Sequence, residues 1–346
     1  MILAILACVV TVGEHARHDF TLTGPRGWTF DARLIEPGGE RSGITVILIG
    51  GGIGNDLDWT IPGTVEVNSK AMPLTIDGTS HKDAPRIAQA LAAKGHAVLH
   101  YSTIAHEDPK RGLWPLEMTS HEVTDLLQLQ RTATRSIQTN PLTRDDRIVL
   151  LGHSMGGQRA CAQTADDSDI QALVLLAPAQ MTRTGPDDPG KNLNLAEARH
   201  QLAQLDQDGN GTVTGEEIPD DMDFDQDDTL RGWEVAAAIA RSRRLNMKPE
   251  EGTDKHAIPF GEDSLQKHPV PTLILYGNLD ESQGHHAPIL QDLIEDGSMK
   301  TVEVRVLPGL GHQLGPEQGH RIGPISTLAL DQIVEWLETQ QPKLRP

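Results

Sequence analysis

Three residues, each just beyond a short apolar run, could together carry out acyl transfer. Arg147-Ile148-Val149-Leu150-Leu151 leads into Gly152-His153-Ser154-Met155-Gly156-Gly157, and an Ala-rich helical pattern follows. A serine at a strained strand-to-helix turn needs small residues two before and two after it, because the backbone folds back on itself there. Its hydroxyl becomes a nucleophile when a base takes the proton and a carboxylate orients that base. The acid and then the base follow along the chain. The apolar run at 272–277 ends in Asn278-Leu279-Asp280, and the run at 302–307 is followed by Pro308-Gly309-Leu310-Gly311-His312. Ser154, Asp280 and His312 thus stand just past the C-terminal ends of strands, where the crevice residues of a parallel sheet converge. Glu281 is a rival acid next door, while His320 and the pair His285-His286 follow no strand end.

Acyl transfer also needs N–H donors aimed at the developing oxyanion. One is the backbone N–H of Met155, the residue after the serine. The second is expected from the loop after the run at 44–49, which reads Gly50-Gly51-Gly52-Ile53-Gly54-Asn55-Asp56-Leu57-Asp58. Glycines let the backbone approach a substrate closely, and Gly52 is preferred to Ile53 as the donor.

These motifs and their order resemble the α/β-hydrolase superfamily over nearly the whole chain outside its leader and one insert. The resemblance implies Ser154 as nucleophile, His312 as general base and Asp280 as the carboxylate that holds the imidazole tautomer. The glycine loop is similar to the Gly-x-Gly-Pro-Gln-Asp-Arg-Asp stretch of a bacterial group that includes esterases and relatives of prolyl oligopeptidase. Ile53, Gly54, Asn55 and Leu57 depart from that stretch. His100-Tyr101-Ser102-Thr103 stands where the group carries an Asp-x-Arg-Gly turn, so the resemblance carries over no substrate.

The elements that must position these residues follow from hydropathy. Around Gly24-Pro25-Arg26-Gly27, alternating apolar and polar residues predict an antiparallel hairpin. Nearly continuous apolar runs at 44–49, 97–101, 148–151, 172–177, 272–276 and 302–307 suit strands buried on both faces of a parallel sheet. Helical patterns at 84–94, 119–139, 155–165, 287–295 and 325–340 alternate with them. Together these predict an α/β fold of the α/β-hydrolase type, a mostly parallel sheet flanked by helices. The core is expected at 17–179 and 270–346, after a candidate leader at 1–16.

The alternation breaks between 180 and 269, a stretch too long for a structureless loop. Helical spacing of Leu195, Ala198, Leu202 and Leu205, and of Trp233, Ala236, Ala237 and Ala240, predicts a largely helical lid, bounded by Gly185-Pro186 and His268-Pro269. Inside it, residues 206–217 fit an EF-hand calcium loop. Asp206, Asp208 and Asn210 offer side-chain oxygens, Thr212 its carbonyl, Thr214 a contact through water, and Glu217 a bidentate carboxylate. Gly211 permits the sharp turn. A second copy at 223–234 offers Asp223, Asp225, Asp227, Thr229 and Glu234, with Asp228 in place of the turn glycine and Arg231 bringing a positive charge to position nine. Val213 and Leu230 both occupy position eight, where paired loops form a short β-bridge. Only five residues separate the loops, and Pro219 among them stops a helix, so a truncated pair with a structural Ca²⁺ role is expected. No organic cofactor is implied.

Composition narrows the remaining choices. The chain has 346 residues and a formal net charge of −19, which argues against nucleic acid or an anionic membrane surface as partner. Aromatic residues are only 3% of the chain, too few for a base-stacking platform. Two cysteines, Cys8 and Cys161, exclude a disulfide scaffold. The longest apolar run, residues 2–12, is about half the roughly 20 residues a spanning helix needs. It could be an export signal or a first β-strand, and no Lys or Arg precedes Arg17. Periplasmic or secreted and cytoplasmic locations both stay open. Eleven carboxylates and one arginine fall within 206–234, so the acidity is concentrated in the insert. The function expected is a serine hydrolase of a small-molecule ester. A peptidase or amidase with the same residues, and an inactive calcium-binding interaction protein, are the alternatives. Nothing in the pattern sets the oligomeric state.

Overall fold

The buried runs assemble into a single nine-stranded sheet. In the computed structural model, which describes residues 8–12, 15–52, 55–67, 70–108, 123–183, 195–245 and 258–342, its strands are β1 (Cys8–Val12), β2 (His15–Thr23), β3 (Thr29–Glu36), β4 (Ile44–Ile49), β5 (Ala97–Tyr101), β6 (Arg147–His153), β7 (Ile170–Leu176), β8 (Thr272–Gly277) and β9 (Val302–Leu307). They lie in the order β1-β2-β3-β5-β4-β6-β7-β8-β9. The hairpin of β2 and β3 is antiparallel, as are its joints to β1 and β5. From β5 onward every pairing is parallel. β1 takes up part of the apolar run weighed as an export signal; residues 1–7 lie outside the described residues.

Period-two alternation explains why the central strands are apolar throughout. On β4, Ile47 and Ile49 point into one core and Ile44, Val46 and Leu48 into the other. Helices α1 (Asp83–Ala92) and α8 (Thr327–Gln340) cover the second face. Helices α2 (Val123–Thr139), α3 (Met155–Thr164), α6 (Gly261–Lys267) and α7 (His286–Glu295) cover the first. α8 starts two residues later than the apolar pattern implies. Ser326 stays extended and its hydroxyl accepts the Ala329 N–H, which fixes the helix start. Residues 119–122, expected to open α2, and the boundary Gly185-Pro186 lie outside the described residues. The small hairpins at 60–82 have no counterpart in the sequence reading.

The insert is not uniform. Helices α4 (Leu195–Leu205) and α5 (Gly232–Leu245) flank the two acidic loops, and Ala198, Val213, Leu230, Val235, Ala236 and Ala240 form a small core closed by Ile289 of α7. By contrast, α6 belongs to the main layer. Gly261 and Glu262 donate their N–H groups to the carbonyls of Gln180 and Met181, and Leu265 joins the large core. Among the described residues no helix is long and apolar enough to cross a membrane.

Candidate active site

β6 ends at His153 and α3 begins at Met155, so the whole reversal falls on Ser154, with φ 52° and ψ −124°. Such a conformation costs a non-glycine residue about 1–3 kcal/mol and persists only where its surroundings impose it. Here the Ser154 N–H donates to the Leu176 carbonyl at 2.9 Å, and its own carbonyl accepts from Gly157 and Ala179. A Cβ on Gly152 would sit 2.6 Å from the Gly156 carbonyl oxygen, and one on Gly156 would sit 2.3 Å from that of Ile49. The small residues of the motif are therefore required by closure of the turn.

The acid and base arrive on neighbouring loops. After β8, Asp280 is 1% exposed, and its Oδ2 lies 2.9 Å from His312 Nδ1. After β9, His312 Nε2 lies 3.1 Å from Ser154 Oγ. The three residues chosen from strand ends thus form one hydrogen-bonded relay. Glu281 lies instead against Gly232 at the start of α5. Asp280 Oδ1 accepts from the Ser282 hydroxyl at 2.6 Å and from the N–H groups of Ser282 and Gln283. Burial opposes ionisation of Asp280, but the His312 charge and these hydrogen bonds overcome it and hold its carboxyl below the usual range. Burial likewise disfavours charge on His312, and the Asp280 carboxylate outweighs it, raising the imidazole above its ordinary value.

The glycine loop after β4 lies directly against the serine. A Cβ on Gly51 would fall 2.8 Å from Ser154 Cβ, and Gly52 adopts φ 61°. Its carbonyls are drawn into the protein. Arg159 of α3, 1% exposed, donates from Nη2 to Gly50 O at 2.6 Å and from Nη1 to Gly52 O at 3.0 Å. Asn55 Nδ2 donates to the Gly51 carbonyl. Thr103 Oγ1 accepts the Asn55 N–H at 2.7 Å, and Ser102 Oγ donates to the Asn55 carbonyl. Because each peptide is planar and trans, a carbonyl fixed inward turns the next residue's N–H the opposite way. Gly51 O thus sets the Gly52 N–H; Ile53 and Gly54 lie outside the described residues.

Sequence reasoning missed four of these supports. Arg159 reads as an ordinary helix residue, yet its buried guanidinium meets carbonyl oxygens and burial lowers its pKa to about 10. His153 Nε2 lies 3.1 Å from the His312 carbonyl, which only accepts, so this nitrogen carries the proton. Burial lowers the His153 pKa to about 4, so it is a neutral strut behind the base. Ser282 and Asn278 are the others. Asn278 Oδ1 accepts the Gly309 N–H at 2.7 Å and its carbonyl accepts Trp233 Nε1–H at 2.8 Å, joining the acid loop, the base loop and α5.

The two acidic loops are built alike. Val213–Thr214 pairs antiparallel with Thr229–Leu230, opposing Val213 to Leu230 as position eight implies. Glu217 accepts N–H groups from Gln207 and Thr214, and Glu234 accepts those of Phe224 and Arg231, the same loop positions. Gly211 and Asp228 both take positive φ, 87° and 62°. Carboxylate oxygens of Asp206, Asp208 and Glu217 lie within 4.8 Å of one another, as do those of Asp223, Asp225 and Asp227. A single Ca²⁺ with oxygens at about 2.3–2.6 Å spans such a set. Asn210 Oδ1 faces the N–H of Thr212. In the second loop, Arg231 reaches the carboxylates of Asp225 and Asp227 and the Thr229 carbonyl.

The profile of the alpha/beta hydrolase family matches residues 46–322, and the chain belongs to that family. Among solved structures it is similar to the Pyrococcus furiosus esterase Pf2001, at 12% identity and a TM-score of 0.51, with 97% of each chain covered. It is also similar to a dienelactone hydrolase from Anabaena variabilis, at 12% identity and a TM-score of 0.49, with 94% of this chain and 99% of that one covered. A comparison with curated proteins yields no match. The protein is a hydrolase with the α/β-hydrolase fold.

The fixing of the glycine loop by Arg159 has a measurable consequence. Arg159→Met should lower kcat at least about tenfold with KM within about threefold, since loss of one oxyanion donor costs about 10²–10³ in kcat. Steady-state kinetics on a folded variant, checked by circular dichroism, reads this out. An unchanged kcat would remove Arg159 from the argument.

Proposed function

We propose that the protein is a serine esterase acting on a small-molecule carboxylic ester through an acyl-enzyme. The observation that carries this reading is the relay from Ser154 Oγ through His312 to Asp280, with contacts of 3.1 and 2.9 Å. Ser154 Oγ attacks the ester carbonyl carbon as His312 Nε2 takes its proton, and Asp280 stabilises the imidazolium formed. The carbonyl oxygen gains the negative charge and is met by the N–H groups of Met155 and Gly52. The intermediate collapses, the C–O bond to the alcohol breaks, and His312 returns the proton to the leaving oxygen. Water, deprotonated by His312, then attacks the acyl carbon and releases the acid and free Ser154. An esterase of similar fold is consistent with this choice.

The first acidic loop is the proposed Ca²⁺ site. Asp206, Asp208, Asn210, Thr212 and Glu217 supply the hard oxygen donors that Ca²⁺ prefers, and their carboxylate spacing suits one ion. Calcium there would neutralise part of the loop's charge and fix α4 to the paired strands. No catalytic step runs through it.

A fluorophosphonate probe should label the wild-type protein and not Ser154→Ala; equal labelling of both would end the serine reading. A panel of p-nitrophenyl esters beside aminoacyl anilides tests the substrate class, with turnover expected on the esters. Since His312 must be neutral to accept a proton, kcat/KM should fall on the acid side with a midpoint above the ordinary imidazole value of about 6.5. Asp280→Asn removes the group that raises this pKa and should shift the limb toward lower pH; an unmoved limb would assign it to another residue. Thermal melting in calcium against chelator should differ by several degrees, because an ion at 100-fold its Kd adds about 2.7 kcal/mol. Identical melts would count against calcium.

A further inference from the structure

The two acidic loops share a backbone plan and differ in what stands at their ninth position. In the first loop it is Thr214. In the second it is Arg231, whose side chain turns back into its own loop and is only 17% exposed. Its Nη2 lies 2.6 Å from Asp227 Oδ2, and its Nη1 lies 3.4 Å from Asp225 Oδ2 and 3.3 Å from the Thr229 carbonyl oxygen. These oxygens belong to loop positions five, three and seven, three of the groups from which the motif draws its calcium ligands. We infer that Arg231 is a built-in cation that takes the place of Ca²⁺ in the second loop and positions the loops bearing Asp280 and His312.

The chemistry of the side chain supports the substitution. A guanidinium stays charged throughout the working pH range and presents several N–H donors in a planar fork, so one group can serve several oxygens. The fork covers less solid angle than a metal ion. Accordingly Asp225 Oδ1, buried on a side chain 8% exposed, keeps no hydrogen-bond partner among the described residues. At position twelve Glu234 accepts the Arg231 N–H and the Phe224 N–H, each at 2.8 Å, as Glu217 accepts those of the same positions in the first loop.

The link to the catalytic loops runs through the carboxylate that Arg231 holds. Asp227 Oδ2 also accepts from Asn278 Nδ2 at 3.3 Å. The same Asn278 side chain accepts the Gly309 N–H, three residues before His312, and itself lies two residues before Asp280. Trp233, two residues after Arg231, is fully buried and donates to the Asn278 carbonyl. The first loop has no such contact with the core among the described residues. Arg231 is thus a positioning residue, and its hold on the core is permanent where a metal's would vary with supply. The activity side of this inference rests on the proposed triad; the ion count does not.

Calorimetric titration with CaCl2, paired with ester kinetics in chelator and in calcium, tests it on the full chain. The variants are Arg231→Gln, Arg231→Lys and Asp206→Asn. Arg231→Gln should bind one more ion than wild type. In chelator its kcat should fall about tenfold, the scale of lost supporting contacts around a site, and calcium should restore it with KM little changed. Wild-type kcat should not respond to calcium, and Arg231→Lys should keep the wild-type ion count. Asp206→Asn should abolish binding. Retained binding in Asp206→Asn would place an ion in the second loop and overturn the inference. So would an Arg231→Gln protein that gains no ion, or one whose kcat calcium does not restore. If wild type binds nothing and Arg231→Gln binds one ion, the first-loop calcium reading fails and this inference stands. If no protein turns over ester, the triad reading fails and the ion counts still decide.

Discussion

The arrangement of the candidate crevice depends on one strained residue. Ser154 can hold φ 52° only because β6 and α3 are locked on either side of it, with Leu176, Gly157 and Ala179 occupying its backbone groups. A relaxed turn would let the hydroxyl swing by ångströms, a large displacement beside the 3.1 Å that separates it from His312 Nε2. The strain is offset by the parallel pairing of β6 with β4 and β7, the central strands of the sheet. Apart from Arg147, His153 and Gln171 their residues are buried, so any shift of the turn would open voids in both cores. The same closure brings the β4 carbonyl end within van der Waals range of Gly156, which in turn fixes how near the glycine loop can come to the serine.

Around this turn, each loop that must meet the substrate is held by a buried polar group whose partner is backbone. Arg159 takes two carbonyls of the glycine loop, His153 takes the His312 carbonyl, and Asn278 spans the acid and base loops. Loops of this kind pack poorly through apolar contact, since glycines offer no side chain, so hydrogen bonds carry the ordering. In a low-dielectric interior such bonds are strong, and an unmade one is costly. Arg159 has a further effect. A full positive charge behind the loop favours negative charge on the substrate side, and the two carbonyls it binds flank the Gly51 carbonyl that Asn55 holds.

What the sequence disclosed and what it hid divide along a physical line. That Ser154, Asp280 and His312 would come together was legible because strand-end position and small-residue spacing are local signals, and the topology of a parallel sheet brings strand ends together without further information. The Val213–Leu230 pairing and the left-handed Asp228 were legible for the same reason, since loop geometry is fixed within twelve residues. Arg159, His153 and Asn278 act on partners 107, 159 and 31 residues away. Nothing in their local pattern separates them from ordinary helix or loop residues. The end of the insert misled for a related reason. Residues 258–267 follow a polar stretch, yet α6 joins the main core through backbone contacts at Gln180 and Met181 that no periodicity encodes. Arg231 was visible as a charge out of place in a calcium loop, but its inward turn onto Asp225 and Asp227 is a tertiary fact.

The placement of the insert also decides how it can influence catalysis. It leaves the sheet after β7 and returns before β8, so its second loop comes to rest beside the residues that follow β8. Ten net negative charges lie in 206–234, and a bare acidic patch so near a histidine base would be expected to stabilise the imidazolium. Yet the charges that raise His312 are those of Asp280 and Glu317. Several loop carboxylates accept backbone N–H groups of their own loops or pair with Arg231, and in salt the interaction between exposed charges falls off over about 8–10 Å. The influence that remains is mechanical. It passes through Asp227, Asn278 and Gly309 as a chain of hydrogen bonds, which can hold an angle but cannot shift a proton affinity by field. An insert coupled in this way ties the Asp280 and His312 loops together by hydrogen bonds, and the charges that raise His312 remain those of Asp280 and Glu317.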